Sequence, residues 1–260
     1  GIRDVAVTGV QTCALPIFFD IVRNLWANAD TPYPSISHNL GCVPGMILLK
    51  KTGLSSSWYV WHKSLPATSG LYLNTNSAEV TNVTWFGGTL PTSTTFTVGG
   101  MGYGNHGYYD AYLFADNASG FGSSGSDKAI SCGSFTTNGS GLATVTLGWE
   151  PQWVLIKPYT STGNWQIYDV ARGMPVGQSQ QVLYTNLTDP EVTSSNKLNL
   201  NPTGFSVENN NNTSYIYVAI RRPMRTPKLA SDVFSSTYQT ANITAQSKDL
   251  SLNQIGRAHV

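Results

Sequence analysis

Strand-forming aromatic, aliphatic and β-branched residues recur in short runs bounded by Gly, Pro and Asn along this chain, and the positions that recur are spaced at a period of two, the spacing of side chains that share one face of a strand. The segments Asp20 to Leu25, Met46 to Lys50, Ser131 to Thr136 and Trp153 to Lys157 all read as strands. Tyr108 to Ala115 (YYDAYLFA) and Tyr215 to Arg221 (YIYVAIR) read as closing strands that are largely buried. In the run WYVW, Trp58 and Val60 share one face of a strand, and Tyr59 and Trp61 share the other. Gly, Pro and Asn punctuate these runs: Gly41 and Pro44 predict a tight turn before Met46. The cluster Gly99, Gly100, Gly102 and Gly104 predicts a hairpin, as does the Asn209 to Asn212 run.

The pattern occurs twice. Leu40, Gly41, Pro44, Leu48 and Lys50 in NLGCVPGMILLK return as Leu147, Gly148, Pro151, Leu155 and Lys157 in TLGWEPQWVLIK. At the same spacing Trp58 falls on Trp165 and Val60 on Ile167, whereas Tyr59 becomes Gln166. After a short insertion Leu71, Tyr72 and Asn74 match Leu183, Tyr184 and Asn186. Phe96 and Val98 match Phe205 and Val207, and Tyr109 and Ala111 match Tyr217 and Ala219. Repetition at this scale predicts an all-β fold of two tandem β-sandwich or jelly-roll-like units related by internal duplication. Each unit offers six or seven short strands, the first over 18–116 and the second over 131–223. A Gly/Ser-rich linker over 117–130 joins them, and 224–254 reads as an exit linker or the start of a truncated next region. The face kept in both copies, Trp58 and Val60, is expected in the core. The varied face, Tyr59 and Trp61, is expected nearer solvent.

Composition sharpens this reading. Charged residues make up 11% of the chain and hydrophobic ones 40%, with many Thr, Ser, Asn and Gly and few strong helix formers. No run of 18 apolar residues occurs, so no membrane insertion is expected. The ends read differently from the rest. Residues 1–17, GIRDVAVTGVQTCALPI, resemble translated sequencing-adapter DNA, and 255–260, IGRAHV, resemble one frame of the complementary adapter. Both stretches are therefore expected not to be native, leaving 18–254 truncated at both ends. A signal peptide fits the first stretch badly, because Asp4, Gln11 and Pro16 interrupt it. Without Arg3, Asp4 and Arg257 the basic and acidic residues balance, so no basic excess remains to hold nucleic acid. Cys13 drops out as well. Cys42 and Cys132 alone are no disulfide framework and have no metal-knuckle spacing, so they are expected as free buried thiols.

No catalytic motif stands out. His38 aligns with Val145 and His62 with Asp169, so the repeat does not preserve them, and no nucleophile elbow accompanies His106 or the many serines. Asp110, Asp116, Glu150 and Asp169 are the acids nearest aromatic strands and could supply the paired carboxylates of a glycoside hydrolase. They read more simply as turn and edge acids. The glycine cluster lacks the Lys and helix start of a phosphate loop. Arg221, Arg222 and Arg225 read as a solvated exit. No cofactor, metal or catalytic residue is expected. The aromatics are the better candidates: seven tryptophans in a low-charge β protein can offer flat stacking surfaces for sugars. Tyr59, Trp61 and His62 are the ligand-binding residues this reading selects.

The segments ISHNLGCVPGMILLK, SWYVWHKSL, YLNTN, PTSTTFTVGG and YYDAYLFA, with NWQIYDVARGM and TSYIYVAIRRPM in the second half, resemble a β-rich domain of tailed phages whose activity is unassigned. The resemblance implies a virion structural protein of the tail or its fibres, extracellular after release, and supplies no catalytic residues. The expected function is a non-enzymatic module for host-surface attachment, with a glycan as candidate receptor, or for appendage assembly. Its expected partners are other virion and tail proteins, and the repeated units would present several weak sites. A homo-oligomer is compatible with the sequence, although no heptads or β-helix repeats specify one. Two alternatives stay open: a polysaccharide depolymerase and a purely structural spacer.

Overall fold

The computed structural model describes residues 18–27, 32–99, 107–117, 126–173, 180–194 and 197–222. The adapter-like ends, most of the expected linker, the expected exit segment and all of the glycine cluster but Gly99 lie outside them. The described residues up to Arg221 belong to one compact unit. They form sixteen strands and one 3-10 turn, Val170–Arg172, and no α-helix.

In the first half these are β1 (Phe19–Ala27), β2 (Ser35–Ser37), β3 (Pro44–Lys51), β4 (Trp58–His62), β5 (Leu71–Tyr72), β6 (Thr95–Thr97) and β7 (Gly107–Ala115). The second half adds β8 (Ile130–Thr136), β9 (Leu142–Thr146), β10 (Pro151–Pro158), β11 (Gln166–Asp169), β12 (Gln180–Tyr184) and β13 (Val192–Ser194). It ends with β14 (Lys197–Asn201), β15 (Gly204–Glu208) and β16 (Ser214–Arg221). The large sheet of the first half runs β1-β7-β3-β4-β5. That of the second half, read from the same side, runs β8-β16-β10-β11-β12-β13. The order of the first five strands is the same, with β13 added at the end of the second sheet, and the matched residues Leu48 and Leu155, or Val60 and Ile167, fall on corresponding strands. Two small sheets, β2-β6 and β14-β15-β9, complete the fold, and all pairing is antiparallel.

Three cores separate these four layers. The first lies between the first large sheet and β2-β6, where Ile47, Leu49, Tyr59, Trp61, Tyr109 and Leu113 pack on Phe96, Trp85 and Phe86. The second lies between the second large sheet and β14-β15-β9, with Val154, Ile156, Tyr168 and Tyr215 against Leu198 and Phe205. The third lies between the two large sheets: Met46, Val60, Leu65 and Leu71 meet Ile130, Leu155, Trp165, Ile216 and Val218. The alternation along β3 therefore has two apolar faces, each with its own partner layer. Close approach at this contact depends on Gly45, where a Cβ would come within 2.5 Å of the Cys132 Sγ. Polar groups cross it too. Trp165 Nε1 donates to the Tyr72 carbonyl at 2.9 Å, and the buried Lys157 Nζ donates to the Ser77 carbonyl at 2.8 Å.

This arrangement corrects two expectations. The face kept in both copies is a core face, but it is the face that covers the other half. The varied face is not exposed: Tyr59 and Gln166 are both buried, each toward the small sheet of its own half. Residues facing the opposite copy must fit that copy, whereas those facing a small sheet need only fit that sheet. The Asn209–Asn212 run is likewise no hairpin, because β15 pairs with β9 and β14 while β16 pairs with β10 and β8. It carries the chain from the small sheet to the large one, with Asn212 at a φ of 48° and its N–H on the Asn138 carbonyl at 3.0 Å. The turn expected at Gly41 is present, with a φ of 68° there.

A shared central core predicts joint unfolding. Trp165→Ala is expected to cost about 3 to 5 kcal/mol in urea unfolding and to lower a single transition seen by probes in both halves. Two separate transitions in the wild-type protein would show instead that the halves are independent.

Candidate functional site: an exposed aromatic face

The second large sheet covers only part of the first. Met46, Val60 and Leu71 are fully buried beneath it, but the same face continues outward over β7 and β1 into solvent. There the register sets Phe19 beside Phe114, Ile21 beside Tyr112 and Trp26 beside Tyr108. Trp26 and Tyr108 are 52% and 53% exposed and meet edge to face with ring centroids 5.0 Å apart. Phe19 packs on Phe114 at 5.0 Å, and Trp58, half-buried, lies 5.8 Å from Tyr112. Lys50 Nζ stands 5.6 Å from the Trp58 ring centroid, within cation–π range, and also donates to the Ser56 carbonyl.

A bulge in β1 creates this face. The pairing jumps between Val22 and Leu25, so that Arg23 and Asn24 together oppose Asp110. Asn24 takes a φ of 57°, and its N–H donates to Asp110 Oδ1 at 2.9 Å. Arg23 Nε lies 3.7 Å from the other carboxylate oxygen. The extra residue reverses the parity of the strand. Leu25 and Ala27 join Val22 on the first core, and Trp26 turns outward with Ile21. The signal in the sequence was the apolar pair Val22 and Leu25, which no unbroken period of two can place on one side.

The selected residues lie elsewhere. Tyr59 and Trp61 are buried in the first core, with Tyr59 against Trp85 at 4.9 Å. Neither presents a ring to solvent, which corrects their selection as a stacking surface. Replacing Trp61 would test packing. His62 is fully buried between the halves: its Nδ1 accepts from the Ser64 N–H at 3.2 Å, so its Nε2–H donates to the Tyr217 carbonyl at 3.0 Å. Burial lowers its pKa from 6.5 to about 4, against the raising influence of the Tyr217 carbonyl and of Asp116; nearby Lys63 adds to the lowering.

The carboxylates are engaged in structure. Asp110 closes the bulge. Asp116 accepts the Cys132 N–H at 2.8 Å and pairs with Lys63. Asp169 caps the 3-10 turn through the Arg172 N–H at 2.9 Å and pairs with that side chain. Glu150 is partly buried just before β10. His38 is buried, with Nε2 3.2 Å from the Thr92 carbonyl, and His106 lies outside the described residues. Cys42 and Cys132 are free thiols, and burial raises the pKa of both. Among the described residues no three His, Cys, Asp or Glu side chains gather as a metal site, and no helix is long and apolar enough to cross a membrane. Arg221 is partly buried and pairs with Asp127 at 3.5 Å; Arg225 lies outside the described residues.

Residues 10–222 match the family described as a domain of unknown function (DUF7483), and the chain belongs to that family. Its first residues overlap the adapter-like stretch. No curated protein and no solved structure matches the chain.

The buried imidazole makes stability depend on pH. Its folded pKa lies below the unfolded value of 6.5, so the unfolded chain takes up the proton first as pH falls. The contribution is complete above 6.5 and is lost progressively toward 4. Between pH 7 and pH 5 the loss is expected to be about 2 kcal/mol in urea unfolding. His62→Gln, which can still donate to the Tyr217 carbonyl, is expected to flatten the slope; an unchanged slope would place the acid sensitivity elsewhere.

Proposed function

We propose that this family member is a non-catalytic module of a phage virion appendage, a tail or tail fibre, and that it attaches to host-surface glycan through the open face of its first sheet. The observation that carries this reading is the Trp26–Tyr108 pair, held on rigid strands with both rings half in solvent. Sugar rings stack on such surfaces through their C–H faces, while neighbouring polar groups take the hydroxyls. Arg23 and Asp110 on the same two strands, Lys50 opposite Asp110, and Thr52, whose N–H donates to the Tyr108 carbonyl, are the neighbouring polar residues. The virion assignment rests on the resemblance to tailed-phage domains.

One element of the expectation changes. In the strand alignment the residues matching Trp26 and Tyr108 are Ser134 and Ile216, and Ile216 is buried between the halves. Among the described residues there is thus one exposed aromatic face, and the second half serves as scaffold in place of a second site. The depolymerase reading loses support because Asp110, Asp116 and Asp169 are each committed to backbone N–H groups.

A glycan array followed by calorimetric titration and a reducing-sugar assay tests the proposal. Binding without release is expected, with Trp26→Ala and Tyr108→Ala each weakening affinity about tenfold, roughly 1.4 kcal/mol. Sugar release abolished by Glu150→Gln or Asp110→Asn would make the protein a depolymerase. Failure to bind any glycan, with adsorption unaffected by Trp26→Ala, would leave a spacer.

A further inference from the structure

We propose that the glycan taken by this face is an acidic one, and that a uronic acid carboxylate is held along the row of Arg23, Asp110, Lys50 and Trp58 while the neighbouring rings carry the sugar. The inference rests on the glycan reading and adds the chemical class of the ligand. The row is set by the register of four adjacent strands: Arg23 and Asn24 oppose Asp110, Asp110 pairs with Lys50, and Lys50 pairs with Trp58. It crosses three inter-strand spacings, roughly 14 Å. On the same face of β7, Tyr108 with Trp26 lies to one side of Asp110 and Tyr112 with Ile21 to the other. A polar row thus runs between two that are aromatic and apolar.

The second half shows what the same pair of residues binds when it is covered. Lys50 and Trp58 match Lys157 and Trp165 in the repeat, and the two tryptophans are braced alike. The Trp58 N–H donates to Asn74 Oδ1 at 3.0 Å, and the Trp165 N–H to Asn186 Oδ1 at 2.9 Å. In the second half the pair is buried and filled with oxygen acceptors supplied by the first. Lys157 Nζ donates to the Ser77 carbonyl at 2.8 Å, and Trp165 Nε1 to the Tyr72 carbonyl at 2.9 Å. In the first half Lys50 Nζ stands over the Trp58 ring and donates to the Ser56 carbonyl, and the Trp58 indole N–H has no acceptor among the described residues. The donors that take carbonyl oxygens in one half are therefore open to oxygens from outside in the other.

Charge decides the class of ligand. Two cations, Arg23 and Lys50, flank one carboxylate, and that carboxylate is already engaged: Asp110 Oδ1 takes the Asn24 N–H at 2.9 Å, and Oδ2 faces Arg23 Nε at 3.7 Å. Asp20, the next acid along β1, pairs with the core residue Leu113 and so faces the other way, onto the Asn39 N–H at 2.7 Å. The Arg23 side chain is 74% exposed, and its terminal nitrogens have no partner among the described residues. Guanidinium, ammonium and indole N–H groups thus leave the row with donors in excess and a net positive charge. A planar carboxylate meets such donors with two parallel bonds from a guanidinium or a charge-assisted bond from an ammonium. A neutral sugar stacked on these rings would cover Lys50 without compensating its charge. A dianionic phosphate would face Asp110 in the same row.

Calorimetric titration of the full chain with oligomers of galacturonic, glucuronic and mannuronic acid, each beside its carboxyl-reduced neutral counterpart, tests this. At low salt at least one acid oligomer is expected to bind about tenfold more tightly than its reduced form. That preference is expected to shrink at about 1 M salt, where charges are screened within about 3 Å. Lys50→Gln is expected to erase the preference and Lys50→Arg to keep it, whereas Lys197→Gln, at a cation of the second half paired with Glu208, is expected to leave it as it is. Arg23→Gln, at an exposed side chain, gives an independent check should Lys50→Gln fail to fold. Reduced oligomers that bind as tightly as the acids would overturn the proposal, and so would a preference that survives both Lys50→Gln and Arg23→Gln, or one for sulfated oligosaccharides over the uronates. In these cases binding of neutral sugars that Trp26→Ala weakens would keep the glycan reading. Failure of every saccharide to bind, acidic or neutral, would overturn both.

Discussion

The contact between the two large sheets governs the rest of the molecule. Strand β3 is apolar on both sides, with Ile47 and Leu49 on one and Met46 and Leu48 on the other, and such a strand is stable only when both faces are covered. The small sheet of each half covers one side. The other needs a surface of comparable size, and the opposite large sheet provides it. The halves are consequently parts of one body, and residues that look redundant between them are the ones that touch. Leu48, Val60, Leu155, Trp165 and Ile167 all belong to the central core or its rim. Polar groups carried into this layer need partners there, and the carbonyls of Ser77, Tyr72 and Tyr217 satisfy Lys157, Trp165 and His62.

How much of this was legible varies by element. β7 and β16 stand within a residue of where the sequence puts the closing strands, because each is a run rich in aromatic and aliphatic residues set off by Gly or polar residues. The recurrence of the motifs predicts the matching strand order of the two large sheets. Periodicity says which side chains share a face, but it does not say what covers that face. The sequence places Tyr59 and Trp61 on the outer side because the second half has Gln166 where the first has Tyr59. The replacement is accommodated inside, where Gln166 Oε1 accepts from the Tyr168 hydroxyl at 2.8 Å and from Asn209 Nδ2 at 2.9 Å. A buried polar substitution with satisfied hydrogen bonds has the same appearance in sequence as an exposed one. The aromatic face was hidden for another reason: a bulge of one residue inverts everything after it, and no local residue type compels it.

The likeness of the two halves does not extend to their exposed surfaces. Tyr108 is half in solvent and its counterpart Ile216 is 2% exposed, because the second sheet lies over one part of the first and leaves another bare. Trp58 and Trp165 differ in the same way: one lies at the rim beneath Lys50, the other is fully buried with its indole N–H on Tyr72. Among the described residues, two similar halves thus leave one aromatic face open.

That surface is held open at a cost. Leaving a tryptophan half exposed forgoes roughly 1 to 2 kcal/mol of burial, and a bulge gives up a rung of the ladder. An unbroken β1 would have turned Trp26 inward and Leu25 outward. The chain instead keeps the smaller residue in the core, and Asp110 repairs the break by accepting the Asn24 N–H and pairing with Arg23. The same carboxylate that secures the bulge stands beside the exposed rings. By closing the bulge it holds β1 in the register that sets Trp26 beside Tyr108.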